Sequence, residues 1–281
     1  MTTETNADRT RRSGRAAKSQ DTVPALSADQ LAELLRLIKG ADSVELKLTV
    51  PDANRRSVVT ALGMDPLNAQ IRQVVFFDTP DLRLSQHGVV VRARRIQGKL
   101  GDSIVKLRPV DPERLSPTQR KAPGFGVEVD ALPGGFVCSG SMKAELEDPK
   151  IIDVIAGKKS VRRLFNKAQR ALFAANTPGD IQLDDLAILG PVNVFKLKFT
   201  PADFNRRLVA ELWFYPDGSR ILELSTKCTP ADTFNTAAES KAYLAAHGVD
   251  LGAPQQTKTR SALEFFAKEL ADSGQGEALR S

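Results

Sequence analysis

The stretch FFDTPDLRLSQHGVVVRARRI, residues 76–96, decides the fold. It closes an apolar run, IRQVVFFD (71–78), with the length and β-branched content of a buried strand. Thr79 followed by Pro80 is an N-cap and first-turn pair, so a short helical turn is expected, ending at Gly88. VVVRARRI (89–96) then switches to a period of two. Side chains two apart on a strand share a face, which puts Val91 and Ala93 on one side and Arg92 and Arg94 on the other.

Six other segments split the same way: SVELKLTV (43–50), SIVKLRPV (103–110), FGVEVDAL (125–132), VNVFKLKFT (192–200), LVAELWFYP (208–216) and SRILELSTK (219–227). Their polar row reads Ser43, Glu45, Lys47; Lys106, Arg108; Glu128, Asp130; Lys196, Lys198; Glu211; Glu223, Ser225, Lys227. The opposite row is apolar, for example Val44, Leu46, Leu48, Val105, Leu107, Val127, Val129, Leu222 and Leu224. IQLDDLAIL (181–189) reads as a further strand, and Pro216-Asp217-Gly218 as the hairpin turn joining the last two.

A charged row on a half-buried sheet ordinarily faces water. Here the helices argue otherwise. Amphipathic helices are expected from Ser27 (a capping box with Gln30) to Gly40, over 52–62, in a helical segment of about 142–175, and around 234–246 and 260–270. They need the sheet's apolar side to pack on, and a sheet of this size tends to close. The charged row then lines a polar lumen, with Lys47, Arg92, Arg94, Lys106, Arg108, Lys196, Lys198 and Lys227 outnumbering Glu45, Glu128, Asp130, Glu211 and Glu223. Unpaired charges shielded from water cost several kcal/mol each. A small polyanion carrying divalent cations would answer both signs: phosphates for the cations, Mg²⁺ or Mn²⁺ for the carboxylates.

The order SVELK, FFDTPDLRLSQHGVVVRARR, SIVKLR, VEVD, FKLK and LELS resembles the CYTH, or triphosphate tunnel metalloenzyme, superfamily over roughly residues 43–260, most specifically at 77–95. The resemblance implies an α+β chain, a closed antiparallel eight-stranded β-barrel with helices packed outside, acting on triphosphate-bearing substrates. It implies phosphate binding by Lys47, Arg92, Arg94, Lys106, Arg108, Lys196 and Lys198, and Mg²⁺ or Mn²⁺ held by Glu45, Glu128, Asp130 and Glu223. The leading expectation is metal-dependent hydrolysis of a small triphosphate. Cyclisation of ATP to cyclic AMP is a second, and a polyphosphate or nucleotide binder without catalysis is a third. The third rests on two departures: the family's Glu-x-Glu-x-Lys begins here with Ser43, and its late Glu-x-Glu is Glu223-x-Ser225. No side chain stands out as a general base.

Composition bounds the rest. Of a net charge of +6 over 281 residues, half falls in residues 1–20, where Arg9, Arg11, Arg12, Arg15 and Lys18 meet Glu4 and Asp8. The expected layout is a disordered basic tail (1–24), one tunnel domain (25–270) and a flexible C-terminus (271–281). A nearly balanced body does not point to a nucleic acid lying across the outside. No run is apolar enough for a membrane helix or a signal peptide, so a cytoplasmic protein is expected, its oligomeric state open. Cys138 and Cys228 read as unpaired thiols, His87 and His247 as helix-end caps, and Gly157-Lys158-Lys159-Ser160 as a helix break rather than a phosphate loop.

Overall fold

The computed structural model describes residues 26–278; the tail expected over 1–24 lies outside the described residues. Nine strands form the barrel: β1 (Ser43–Val50), β2 (Gln70–Asp78), β3 (Val89–Ile96), β4 (Lys99–Leu107), β5 (Phe125–Leu132), β6 (Gly135–Leu146), β7 (Ala187–Phe199), β8 (Leu208–Phe214) and β9 (Arg220–Cys228). They close in the order β1-β5-β6-β4-β3-β2-β7-β8-β9. Every pair is antiparallel except β1 with β5. An odd number of strands cannot alternate direction all round a closed ring, so the expected eight-stranded antiparallel barrel is corrected on both points.

The extra strand is β6. Residues 142–146, MKAEL, are strong helix formers and were expected to open the helical segment. They are extended because β4 needs a partner: Gly101–Leu107 pairs with Gly140–Leu146, and Met142 and Leu146 enter the core. Tertiary pairing overrides local preference there. In the other direction, 181–189 and 192–200 merge into the single strand β7, which passes Gly190-Pro191 by a register shift on β2 between Val74 and Phe76.

Helices cover the apolar row from outside. Leu34, Leu37 and Ile38 of α1 (Ala28–Lys39) pack on Val44, Val127 and Val129. Val58 of α2 (Arg55–Ala61) meets Leu48, Leu222 and Leu224. After the single-turn helices α3 (Arg83–Gln86) and α4 (Pro117–Arg120), α5 (Asp148–Ile155) and α6 (Lys167–Asn176) set Ile151, Val154, Leu172 and Phe173 against Val91, Ala93, Val105 and Leu107. Tyr243 and Leu244 of α7 (Thr233–Ala246) join the Leu48 cluster. Each fully buried aliphatic side chain contributes about 2 kcal/mol of transfer free energy. The cost of facing those side chains the other way fixes the charged row inward.

The last helix, α8 (Lys258–Ala278), runs past residue 270 and starts two residues earlier than expected. It lays Ala262, Leu263 and Phe266 against Val74, Phe76, Val194 and Trp213, residues of the barrel's inner wall. Facing it is the turn that the FDTPDLRL stretch builds around one buried carboxylate. Asp78 accepts from the backbone N–H groups of Thr79 (2.7 Å), Leu84 (2.8 Å) and Ser85 (3.0 Å). Burial nevertheless raises its pKa above the ordinary carboxylate value. Gly88 ends the turn at φ 72°, where a Cβ would lie 2.5 Å from the Arg108 carbonyl oxygen, so only glycine fits. His87 and His247 each place Nδ1 near a carbonyl of the preceding helical turn, 2.7 Å from Arg83 and 2.8 Å from Tyr243, as the capping reading required.

Candidate functional site

The parallel β1–β5 pair sets Ser43 opposite Glu128 and Glu45 opposite Asp130. One carboxylate oxygen each from Glu45, Glu128 and Asp130 come within 4.8 Å of one another. Cations surround this trio. Lys47 Nζ lies 2.7 Å from Asp130 and 3.2 Å from Glu45, Arg108 3.2 Å and Lys106 3.7 Å from Asp130, and Lys227 pairs with Glu128. Asp130 is wholly buried. Burial alone would raise its pKa, but the charges of Lys47, Lys106 and Arg108 prevail and bring it down to about 2. Two serines where the resemblance implies carboxylates hydrogen-bond to the trio: Ser43 Oγ donates to Glu128 (3.3 Å) and Ser225 Oγ to Glu45 (2.9 Å).

The wall formed by β2, β3, β7 and β8 is richer in free cation. Arg94 is held in a bidentate pair with Asp102 of β4, at 2.8 and 2.7 Å. Lys196 Nζ is 2.7 Å from Glu211. Arg92, by contrast, has no carboxylate within ion-pair distance among the described residues, and its buried Nε has no partner. Burial first, then the neighbouring Arg94, push its pKa down to about 10. Among the described residues Arg72 bonds only the Gln70 side-chain oxygen, at 2.9 and 3.3 Å. A cavity of about 750 Å³ joins the two walls, lined by Glu45, Lys47, Arg72, Arg92, Arg94, Lys106, Arg108, Glu128, Lys196, Glu211 and Lys227.

Two residues of the expected set sit apart. Lys198 is exposed near the end of β7 and does not line this cavity. Glu223 is not in the trio; its carboxylate is 2.7 Å from Lys258 Nζ of α8, which also bonds Glu211 and lies 5.4 Å from the centre of the Trp213 ring. Arg72, Asp102 and Lys258 were not singled out from the sequence. Alternation would have found the first two had β2 been split into rows and β4 begun at Lys99. Nothing in strand periodicity points to Lys258.

The trio fits a hard divalent ion by chemistry: three carboxylates on two neighbouring strands converge. Among the described residues no helix is long and apolar enough to cross a membrane. No protein-family model matches the sequence, and no curated protein matches it. Solved structures do. A candidate adenylate cyclase from Bacillus halodurans superposes with a TM-score of 0.55 at 12% identity, covering 78% of this chain and 98% of the other. A candidate adenylyl cyclase from Hippeastrum, described as having a dominant triphosphatase activity, gives 0.56 at 16% identity, covering 77% and 94%. At these identities the likeness speaks for the fold alone: with its closed barrel and inward charged row, the chain shares the barrel fold of these two structures.

Proposed function

We propose that the lumen binds a small triphosphate and hydrolyses it with the help of Mg²⁺ or Mn²⁺ held by Glu45, Glu128 and Asp130. The observation that carries this is the pairing of opposites across one cavity: on one wall Glu45 and Glu128, which converge with Asp130, and on the other a half-buried guanidinium, Arg92, with no carboxylate within ion-pair distance among the described residues. A cation partly withdrawn from water without a partner is costly, and it persists where a ligand supplies the missing anion. Arg72 and Arg92 would take phosphate oxygens first, because among the described residues neither forms an ion pair. Lys106, Arg108, Lys47, Lys196 and Arg94 would complete the cradle from positions already steadied by carboxylates. Lys198 would act only at the rim. When bound, the ion supplies charge neutralisation at the phosphoryl oxygens. Lys47, lodged between Glu45 and Asp130, keeps both carboxylates ionised before any ligand arrives.

The Bacillus halodurans and Hippeastrum likenesses keep cyclisation of ATP as a rival, and the hydrogen bonds of Ser43 and Ser225 to the trio support a binder without turnover. One assay separates the three. Purified protein with Mn²⁺ and either tripolyphosphate or ATP is expected to release orthophosphate and no cyclic AMP. Cyclic AMP as the main product would replace hydrolysis by cyclisation, and tight tripolyphosphate binding with no release in Mn²⁺ or Mg²⁺ would leave a binder.

A further inference from the structure

The lumen holds a second carboxylate group, a pair. Glu211 of β8 and Glu223 of β9 are register partners, both turned inward. They are served by a lysine that does not belong to the barrel. Lys258 opens α8, reaches into the lumen and places Nζ between Glu211 and Glu223. Both Glu211 oxygens are thereby occupied, one by Lys196 and one by Lys258. The lead-in to α8 is anchored on both sides of this lysine. Thr49 donates from its backbone N–H to the Gln255 side chain (2.8 Å) and from its hydroxyl to the Gln256 carbonyl (3.2 Å), while the Tyr215 hydroxyl donates to the Lys258 carbonyl (3.2 Å). The Trp213 ring beside Nζ favours a cation there as well.

We propose that Lys258 is a built-in counter-cation that takes the place between Glu211 and Glu223 where a second divalent ion would otherwise be held. The tunnel then accepts one ion, at Glu45, Glu128 and Asp130. This rests on the reading of that trio as the metal site. The contrast is in the number of carboxylates: three converge at Glu45, Glu128 and Asp130, whereas Glu211 and Glu223 are two, and each Glu211 oxygen already accepts from an ammonium. Removing the ammonium while keeping the side-chain bulk should turn the pair into an ion site, since a buried and a half-buried carboxylate on neighbouring strands demand a cation.

Mn²⁺ alone, titrated into the full chain, can be counted by paramagnetic resonance, because bound Mn²⁺ loses the sharp signal of the free ion. One ion per chain is expected for the native protein, two for Lys258→Met and one again for the double variant Lys258→Met with Glu223→Gln. Two ions on the native protein, or one on a folded Lys258→Met variant, would overturn the proposal. Should Lys258→Met fail to fold, Glu45→Gln decides: loss of the single ion supports the proposal, and retention of it places that ion elsewhere and overturns it. No bound Mn²⁺ on any variant would remove the metal reading itself, a result distinct from either stoichiometry.

Discussion

Replacing Arg92 by methionine is expected to weaken tripolyphosphate binding about 10- to 100-fold, the loss of charge-assisted hydrogen bonds worth roughly 1.5–3 kcal/mol, and at the same time to stabilise the protein. The second effect is the diagnostic one. Arg92 is half-buried with its Nε unpartnered, and among the described residues no carboxylate lies within ion-pair distance, so in the absence of ligand its charge is a liability. A flexible apolar side chain of similar length removes that cost, and changes of this kind commonly gain about 1–3 kcal/mol. Calorimetric titration with tripolyphosphate and a urea unfolding curve measure the two quantities. Lower stability with unchanged binding would mean that Arg92 is a structural residue with a counter-charge of its own.

Asp130→Asn is expected to act in the opposite sense, destabilising by about 3–5 kcal/mol, because it leaves Lys47, Lys106 and Arg108 around a neutral group. The same change should flatten the acid limb of the stability curve. The Asp130 pKa is lowered from 3.8 to about 2, so the native protein binds this proton less readily than the unfolded chain. Its contribution, about 2 kcal/mol for a shift of that size, is complete above the unfolded value and is lost as the pH falls through the folded one. Urea unfolding between pH 5 and pH 2.5 should therefore show the native protein losing stability faster than Asp130→Asn. Parallel curves would place the charge–charge stabilisation elsewhere.

How much of this was legible in the sequence depended on where strand alternation could be applied. It located Glu45, Lys47, Arg92, Arg94, Lys106, Arg108 and Glu128 on one inner surface, because each belongs to a strand whose opposite face must bury valine or leucine under a helix. Arg72 escaped because 71–78 reads as one apolar run, even though Val74 beyond it shares its inward face. Asp102 lies one residue before the alternating segment 103–110. MKAEL is extended for a different reason: its residues favour a helix, and the decisive influence is the open edge of β4, a partner distant in the chain. Lys258 is further out of reach, since its place in the lumen depends on how α8 crosses the barrel end, through Ala262, Leu263 and Phe266, and not on any local pattern. Parallel pairing of β1 with β5 was likewise not visible, yet it is what brings Glu45 beside Asp130 and so assembles the trio.

The most direct test of the lumen as a metal-assisted triphosphate site is a crystal structure of the protein with Mn²⁺ and tripolyphosphate, read in the manganese anomalous map. An anomalous peak among Glu45, Glu128 and Asp130, with the phosphate chain inside the barrel against Arg72 and Arg92, is the predicted result. A phosphate chain seated on the outer surface, or manganese away from the trio while the lumen holds only solvent, would contradict it.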